Sequence, residues 1–323
     1  MFKNQKVLVT GGSGMVGREL VDLLLEEGAS VTVADLVKPD DLPSEVCFKS
    51  VDLRHLQDCL DVCEDMEYVF NLVGIKASPK MCAEQPADIM VPMIMFNTNM
   101  MHAAMQSNVK WYLYTSSVGV YQPAEILKED DVWETQPSKN DWYGGWAKRI
   151  GELQAGAYEV QYGKSNISIV RPANVYGKYD NFDPANAMVI PSLIRKANDN
   201  DTLEVWGDGS PIRDFIHARD VARGMLHVVK NQITDPVNLG SGSGVSIRKI
   251  ADIISSCFGK PIKWLTDAPS GDPRRVFDMS RAESSGFLPS ITIEDGIQDT
   301  IEWFLNNKEI IDDRFNAFRG EEK

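Results

Sequence analysis

The eleven residues Val7-Leu8-Val9-Thr10-Gly11-Gly12-Ser13-Gly14-Met15-Val16-Gly17 constrain this chain more than any other stretch. An apolar run of strand length passes through a G-x-x-G-x-x-G turn into a helical pattern, with Val16, Leu20, Leu23 and Leu24 marking one buried face. Glycines at 11, 14 and 17 let the backbone approach whatever sits over the turn, and the N–H groups of Ser13, Met15 and Val16 open toward the helix start. A strand, turn and helix in this order suit the pyrophosphate of a dinucleotide. Asp35 closes the next strand 18 residues after Gly17. A carboxylate there accepts hydrogen bonds from both adenosine ribose hydroxyls and repels a 2′-phosphate, which favours NAD(H) over NADP(H).

Strand-like runs at Lys6–Thr10, Ser30–Asp35, Cys47–Ser50, Tyr68–Leu72, Trp111–Tyr114 and Ile167–Arg171 alternate with helical patterns. This alternation predicts an α/β fold, a Rossmann doubly wound parallel sheet. From Tyr176 onward Asp/Asn/Pro clusters separate shorter elements, as in a smaller α/β lobe that closes over a ligand. The expected division is a dinucleotide-binding domain of residues 1–176 plus about 212–240, with 177–211 and 241–323 forming a substrate lobe. The Gly320–Lys323 tail is expected to fray.

With 33 Lys+Arg against 47 Asp+Glu, a net charge of −14 opposes binding to nucleic acid or anionic lipid. No stretch has the apolar length of a membrane span, and the segment MFKNQKVLVTGG does not read as a leader. Five cysteines without a C-x-x-C pair suggest free thiols in a reducing, cytoplasmic setting.

Farther along, Asp52-Leu53-Arg54, Tyr114–Tyr121 (YTSSVGVY), Trp146–Glu152 (WAKRIGE), Arg171–Gly177 (RPANVYG) and Gly207–Asp220 (GDGSPIRDFIHARD) follow in order. With these segments the chain resembles the extended short-chain dehydrogenase/reductases, in the NAD-dependent epimerase/dehydratase group acting on nucleotide sugars. Gly74-Ile75-Lys76, Asp180-Asn181-Phe182 with Val189-Ile190-Pro191, and Val205-Trp206-Gly207 resemble its GDP-L-fucose synthase branch. Asp52 and Leu53 would then lie near the adenine, and Val73, Gly74, Pro172, Asn174 and Val175 along the cofactor.

The resemblance implies that Ser117, four residues before Tyr121, hydrogen-bonds the sugar oxygen at which oxidation occurs. It also implies that Lys148 binds the nicotinamide ribose and lowers the pKa of a tyrosine acting as general base. That tyrosine belongs four residues before Lys148, where this chain has Gly144; the nearest phenol is Tyr143. Residues four apart on a helix lie about 40° from each other and residues five apart about 140°, so Tyr143 meets Lys148 only across an irregular turn. Three readings stand at this point: Gly144 replaces a tyrosine, Tyr143 serves through a shifted helix start, or the chain works without this base. Gly144-Gly145 on a helical pattern is locally unfavourable by about 1 kcal/mol per glycine, which favours replacement or irregularity.

The resemblance also disfavours some reactions. Dehydratases of the family carry an Asp-Glu pair where this chain has Val118 and Gly119, and the 3,5-epimerising branch carries Cys and His where it has Gly119 and Met188. Chemistry at one carbinol carbon remains, as a C4 epimerase that retains NAD or as a 4-keto reductase of fucose-synthase type. A catalytically silent NAD and nucleotide-sugar binding module is the competing reading.

For the substrate, a nucleotide-diphosphate sugar with a GDP-sugar slightly favoured, Arg213 and either Arg274 or Arg275 match diphosphate-holding positions. Lys76, Asn174 and Trp206 match substrate-contacting ones, although Trp206 also suits lobe packing. His217 reads as a structural hydrogen-bonding residue, and His55, His102 and His227 fall on helical stretches. No metal site is expected. The Met-rich run Met90–Met105 reads as helix packing, and the family resemblance implies a homodimer.

Overall fold

The computed structural model describes residues 1–76, 79–163, 166–267 and 272–311. The tail at 320–323 lies outside them. β1 (Lys6–Thr10), β2 (Ser30–Asp35), β3 (Cys47–Ser50), β4 (Tyr68–Asn71), β5 (Trp111–Thr115), β6 (Ile167–Pro172) and β10 (Val237–Leu239) make one seven-stranded sheet in the order β3-β2-β1-β4-β5-β6-β10. Every pairing in it is parallel. Successive residues Val7, Leu8 and Val9 are all buried because helices cover both faces, which is why the strands read as continuous apolar runs.

On one face α1 (Met15–Glu26) packs with α7 (Ala218–Lys230), and Leu20, Leu24, Val221 and Met225 share a core with Val7 and Val9. The other face carries α2 (Leu56–Cys63), α4 (Pro86–Gln106) and α5 (Trp142–Tyr162), whose Cys59, Met100, Met101 and Ala147 join Leu8 and Tyr112. Much of the Met-rich run is therefore core. Among the described residues no disulfide joins the five cysteines, and burial pushes the Cys59 and Cys63 thiols up to about 12, so these two pack rather than react.

α3 (Pro79–Glu84) lies beside α4, and α9 (Ser280–Ser284) packs against β10 with Ala282 in the first core. The smaller part contains β7 (Asn174–Tyr176), α6 (Val189–Asp199), β8 (Leu203–Trp206), β9 (Ile212–His217), β11 (Gly244–Ser246), α8 (Ile247–Phe258), β12 (Ile262–Leu265), β13 (Arg274–Arg275) and α10 (Ile293–Asn306). β9 is the hub of a four-stranded sheet with β7, β11 and β13, while β8 and β12 pair separately. Ile190, Leu193, Ile194, Ile250, Ile297 and Phe304 form its own core. Among the described residues no helix is long and apolar enough to cross a membrane.

Strand order reverses between β1 and β4, so the connections leaving their carboxyl ends part and open a crevice there. The glycine turn after β1 and the Leu72–Lys76 stretch after β4 border that crevice.

Candidate active site

The turn after β1 is built by close approach. Gly11 has φ +68°, and a Cβ on it would stand 2.9 Å from the Leu72 and Val73 backbone. A Cβ on Gly17 would stand 2.3 Å from the Gly11 carbonyl oxygen. Gly14 is the N-cap of α1 with no side-chain capping bond, and no acid lies in the first turn. The Ser13 N–H donates to Asp35 Oδ2 at 3.1 Å and the Leu36 N–H to Oδ1 at 2.8 Å, which fixes the Asp35 carboxylate against the turn. Ser13 thus acts through Asp35.

Ser117 follows the end of β5, and its Oγ accepts the Gly119 N–H at 3.1 Å, capping the short turn Val118–Val120. The hydroxyl hydrogen remains available for donation. Lys148 comes from α5, its Nζ donating to the Thr115 carbonyl at 2.8 Å. A Cβ on Gly74 would lie 3.8 Å from that nitrogen, so the residue after β4 and the lysine border the same place. Burial pushes the Lys148 amine down to about 8, with Glu152 one turn onward opposing it.

The adjacent glycines of α5 differ in kind. A Cβ on Gly145 would meet the Gly119 carbonyl oxygen at 2.3 Å and Pro137 Cβ at 2.7 Å, so glycine is needed for α5 to lie against the Val118–Val120 turn. A Cβ on Gly144 would meet nothing within 4 Å. The helix already begins at Trp142, with Tyr143 at 48 % exposure, so the phenol sits about 140° round from Lys148. The shifted-start reading loses its geometric basis, while the gap at 144 is large enough to admit a side chain.

Arg213 and Arg275 stand in register on the parallel strands β9 and β13. Arg274, the other candidate, turns away to Glu125, at 2.9 Å from its carboxylate and 3.0 Å from its carbonyl. Strand alternation separates the two side chains and favours Arg275 as the inward one. Asp141 and Asp272, which the motifs did not bring forward, both hold Arg275. Asp141 lies more than a hundred positions from Arg275 and nothing local marked it, whereas Asp272 stands three residues before Arg275 in the same GDPRRVFD stretch, a spacing that could have singled it out.

Other expected contacts are already engaged. Asp52 accepts the Arg54 N–H at 3.0 Å and pairs with its guanidinium, and those bonds hold its carboxyl below the usual range. Asp52 is thereby oriented by its own turn, while Leu53 is buried core. Lys76 donates to the buried Asp180 at 2.6 Å, tying the stretch after β4 to the smaller part rather than standing free for a phosphate. Pro172 ends β6, Val175 lies on β7, and Asn174 Nδ2 donates to the Asp214 carbonyl at 2.9 Å. Trp206 is 61 % exposed, with Lys196 Nζ 5.3 Å from its ring centroid, which argues against lobe packing. His217 Nδ1 accepts the Arg219 N–H at 3.2 Å as the N-cap of α7, a structural bond.

A glycine turn after β1, a carboxylate at the end of β2, Ser117 after β5 and Lys148 on α5 define a Rossmann protein of the short-chain type. The sequence model of the NAD dependent epimerase/dehydratase family matches residues 7–240, and the chain belongs to that family. It is 32% identical over 320 residues to putative GDP-L-fucose synthase 2 of Arabidopsis thaliana, covering 94% of this chain and 93% of the relative. To GDP-L-fucose synthase of Escherichia coli K12 it is 30% identical, covering 98% and 100%. Among solved structures, UDP-N-acetylglucosamine 4-epimerase from Methanobrevibacter ruminantium M1 superposes with a TM-score of 0.85 at 25% identity, covering 94% and 99%. The residues present fit NAD: Gly17 leaves the turn free of a Cβ, α1 offers an acid-free N-terminus, and Asp35 faces the turn.

Proposed function

We propose that the chain is an NAD-dependent nucleotide-sugar epimerase acting at C4 of an NDP-hexose. NAD, held between the glycine turn and Lys148, supplies the hydride acceptor and donor. Ser117 gives its O–H to the sugar oxygen while its lone pair stays with the Gly119 N–H. Lys148, whose amine burial pushes down to about 8, takes the carbinol proton on oxidation and returns it on reduction. Arg213 and Arg275 receive the diphosphate.

The observation that carries this reading is that Lys148 Nζ sits on the Thr115 carbonyl, two residues before Ser117 in the segment after β5, while Val118, Gly119 and Met188 carry no proton-transferring side chain. Those three positions thus supply neither a dehydratase's acid–base pair nor a double epimerase's, which leaves chemistry at one carbinol carbon as the proposed reaction. A 4-keto reductase is the second reading, favoured by full-length relatives named GDP-L-fucose synthase and, at 29% identity, dTDP-4-dehydro-6-deoxy-D-allose reductase of Streptomyces bikiniensis. Those names also make a GDP-sugar the first substrate to try.

We further place the protein in the cytoplasm as a homodimer. Leu153, Val160 and Tyr162 stand exposed on α5 and Val91 and Met95 on α4, and a Cβ on Gly156 would meet nothing. Two neighbouring helices with outward apolar side chains suit a second copy of the same pair.

The deciding experiment incubates the chain and its Gly144→Tyr variant with GDP-, UDP-, CDP- and dTDP-sugars while following nicotinamide absorbance and product stereochemistry. Epimer formation without net NADH change supports the first reading, and stoichiometric NADH loss with a 4-keto sugar the second. Ligand binding without turnover by either protein would leave a silent binding module.

A further inference from the structure

Arg213 and Arg275 are a like-charged cross-strand pair, and each disfavours the other. Burial first, then the charge of Arg275, holds the Arg213 guanidinium below its ordinary range. Among the described residues Arg213 pairs with no carboxylate; its Nη1 donates to the Ile212 carbonyl at 2.9 Å. Arg275 is held by two. Asp272 is itself anchored by Ser138 Oγ at 2.9 Å and Asn140 Nδ2 at 2.8 Å, whereas Asp141 reaches Arg275 Nη1 at 2.6 Å from a side chain 30% exposed.

Asp141 occupies the N-cap position of α5, a place where Asp commonly bonds the helix N–H groups, yet it makes no capping bond. Its carboxylate is turned to Arg275 instead. It also lies at the reaction site: the point where a Gly119 Cβ would stand is 3.6 Å from Asp141 Cγ and 3.5 Å from Ser117 Oγ. Two guanidinium groups are thus balanced by two carboxylates, one anchored and one not.

We propose that Asp141 is a specificity residue that competes with the substrate's diphosphate for Arg275. This rests on the reading that Arg213 and Arg275 hold a nucleoside diphosphate. A single phosphate is met by the unclaimed Arg213 and leaves the Asp141–Arg275 pair in place. A second phosphate takes Arg275 and releases the Asp141 carboxylate beside Ser117. Asp141 therefore sets a threshold that monophosphates do not cross.

Calorimetric titration of the full chain with GDP, GMP, UDP and UMP tests this, using the wild type, Asp141→Asn and Asp141→Ser. The serine variant keeps a capping side chain should the asparagine variant fold poorly. Removing the competitor is expected to tighten GDP and UDP roughly five- to tenfold and to change GMP and UMP by less than about twofold. Equal gains for mono- and diphosphates, no gain, or a loss would overturn the role of Asp141 while leaving the diphosphate site intact. Failure of all three proteins to bind either diphosphate would remove the diphosphate reading, and this inference with it.

Discussion

Lys148 lies one helical turn beyond Gly144 on the same face of α5, and the space a side chain at 144 would enter is open to 4 Å. The Cβ of a residue introduced there would meet no neighbour, and its side chain would leave α5 on the lysine's face. Gly144→Tyr is expected to fold and to raise turnover on the true substrate by about 100-fold, a size within the usual range for a positioned general base. Initial rates of sugar oxidation measure this. An unchanged rate would show that the tyrosine's place in this chain is not at 144.

The buried lysine makes activity and stability pH-dependent with definite signs. Oxidation needs the free amine, so its rate should rise through about 8, whereas reduction needs the ammonium and should fall over the same interval. For stability, the folded amine titrates at about 8 and the ordinary one at 10.5. Between these values the unfolded chain binds a proton the folded chain has released, so this group's contribution to stability increases with pH. Denaturant titrations at pH 7.5 and 9.5, roughly spanning that window, should show the increase in wild type and a smaller one in Lys148→Met.

Asp35 is the proposed cofactor discriminator. Replacing it with Ala should weaken NAD binding roughly tenfold, the scale of a lost charge-assisted hydrogen bond, and should narrow the preference over NADP. Fluorescence titration with NADH and NADPH reads both effects. Retained preference would move the discrimination to another residue.

A buried polar network underlies the site. Glu152 accepts from Arg171 at 2.7 and 3.0 Å and from Ser116 Oγ at 2.5 Å, and Arg171 also donates to Tyr121 Oη at 3.1 Å. Both members of the ion pair are buried, so removing one leaves the other uncompensated. Arg171→Met is expected to cost about 3–5 kcal/mol, and Arg171→Met with Glu152→Leu less than that. Urea unfolding of the single and double variants checks the order.

The proposed homodimer rests on Leu153 and Val160, which are 63% and 89% exposed and seven residues apart on one face of α5. Leu153→Glu with Val160→Glu should give a monomer in sedimentation velocity with the fold retained by circular dichroism. A dimer that survives both charges uses a different face.

Local patterns made much of this molecule legible. The strand runs, the turn at Gly11–Gly17 and the Ser117 and Lys148 motifs depend on neighbours within a few residues, and the sheet follows them closely. The choice between Arg274 and Arg275 depended on strand register and on Asp141, more than a hundred positions away. Lys76 likewise looked available until Asp180 was found beside it. Chain proximity carries no information about such pairs, because the sheet and the smaller part bring them together only after folding.

The amino-acid order alone determined a doubly wound parallel sheet, a glycine turn followed by an acid at the end of the next strand, and the absence of a tyrosine four residues before Lys148, since each is a matter of spacing along one strand or helix. Tertiary structure alone decided that Gly145 is required while Gly144 is merely vacant, that Tyr143 faces away, and that Arg275 rather than Arg274 stands by Arg213. The reason is physical: whether a side chain has room, partners or a free charge is a property of the surfaces packed around it, and those surfaces come from distant parts of the chain.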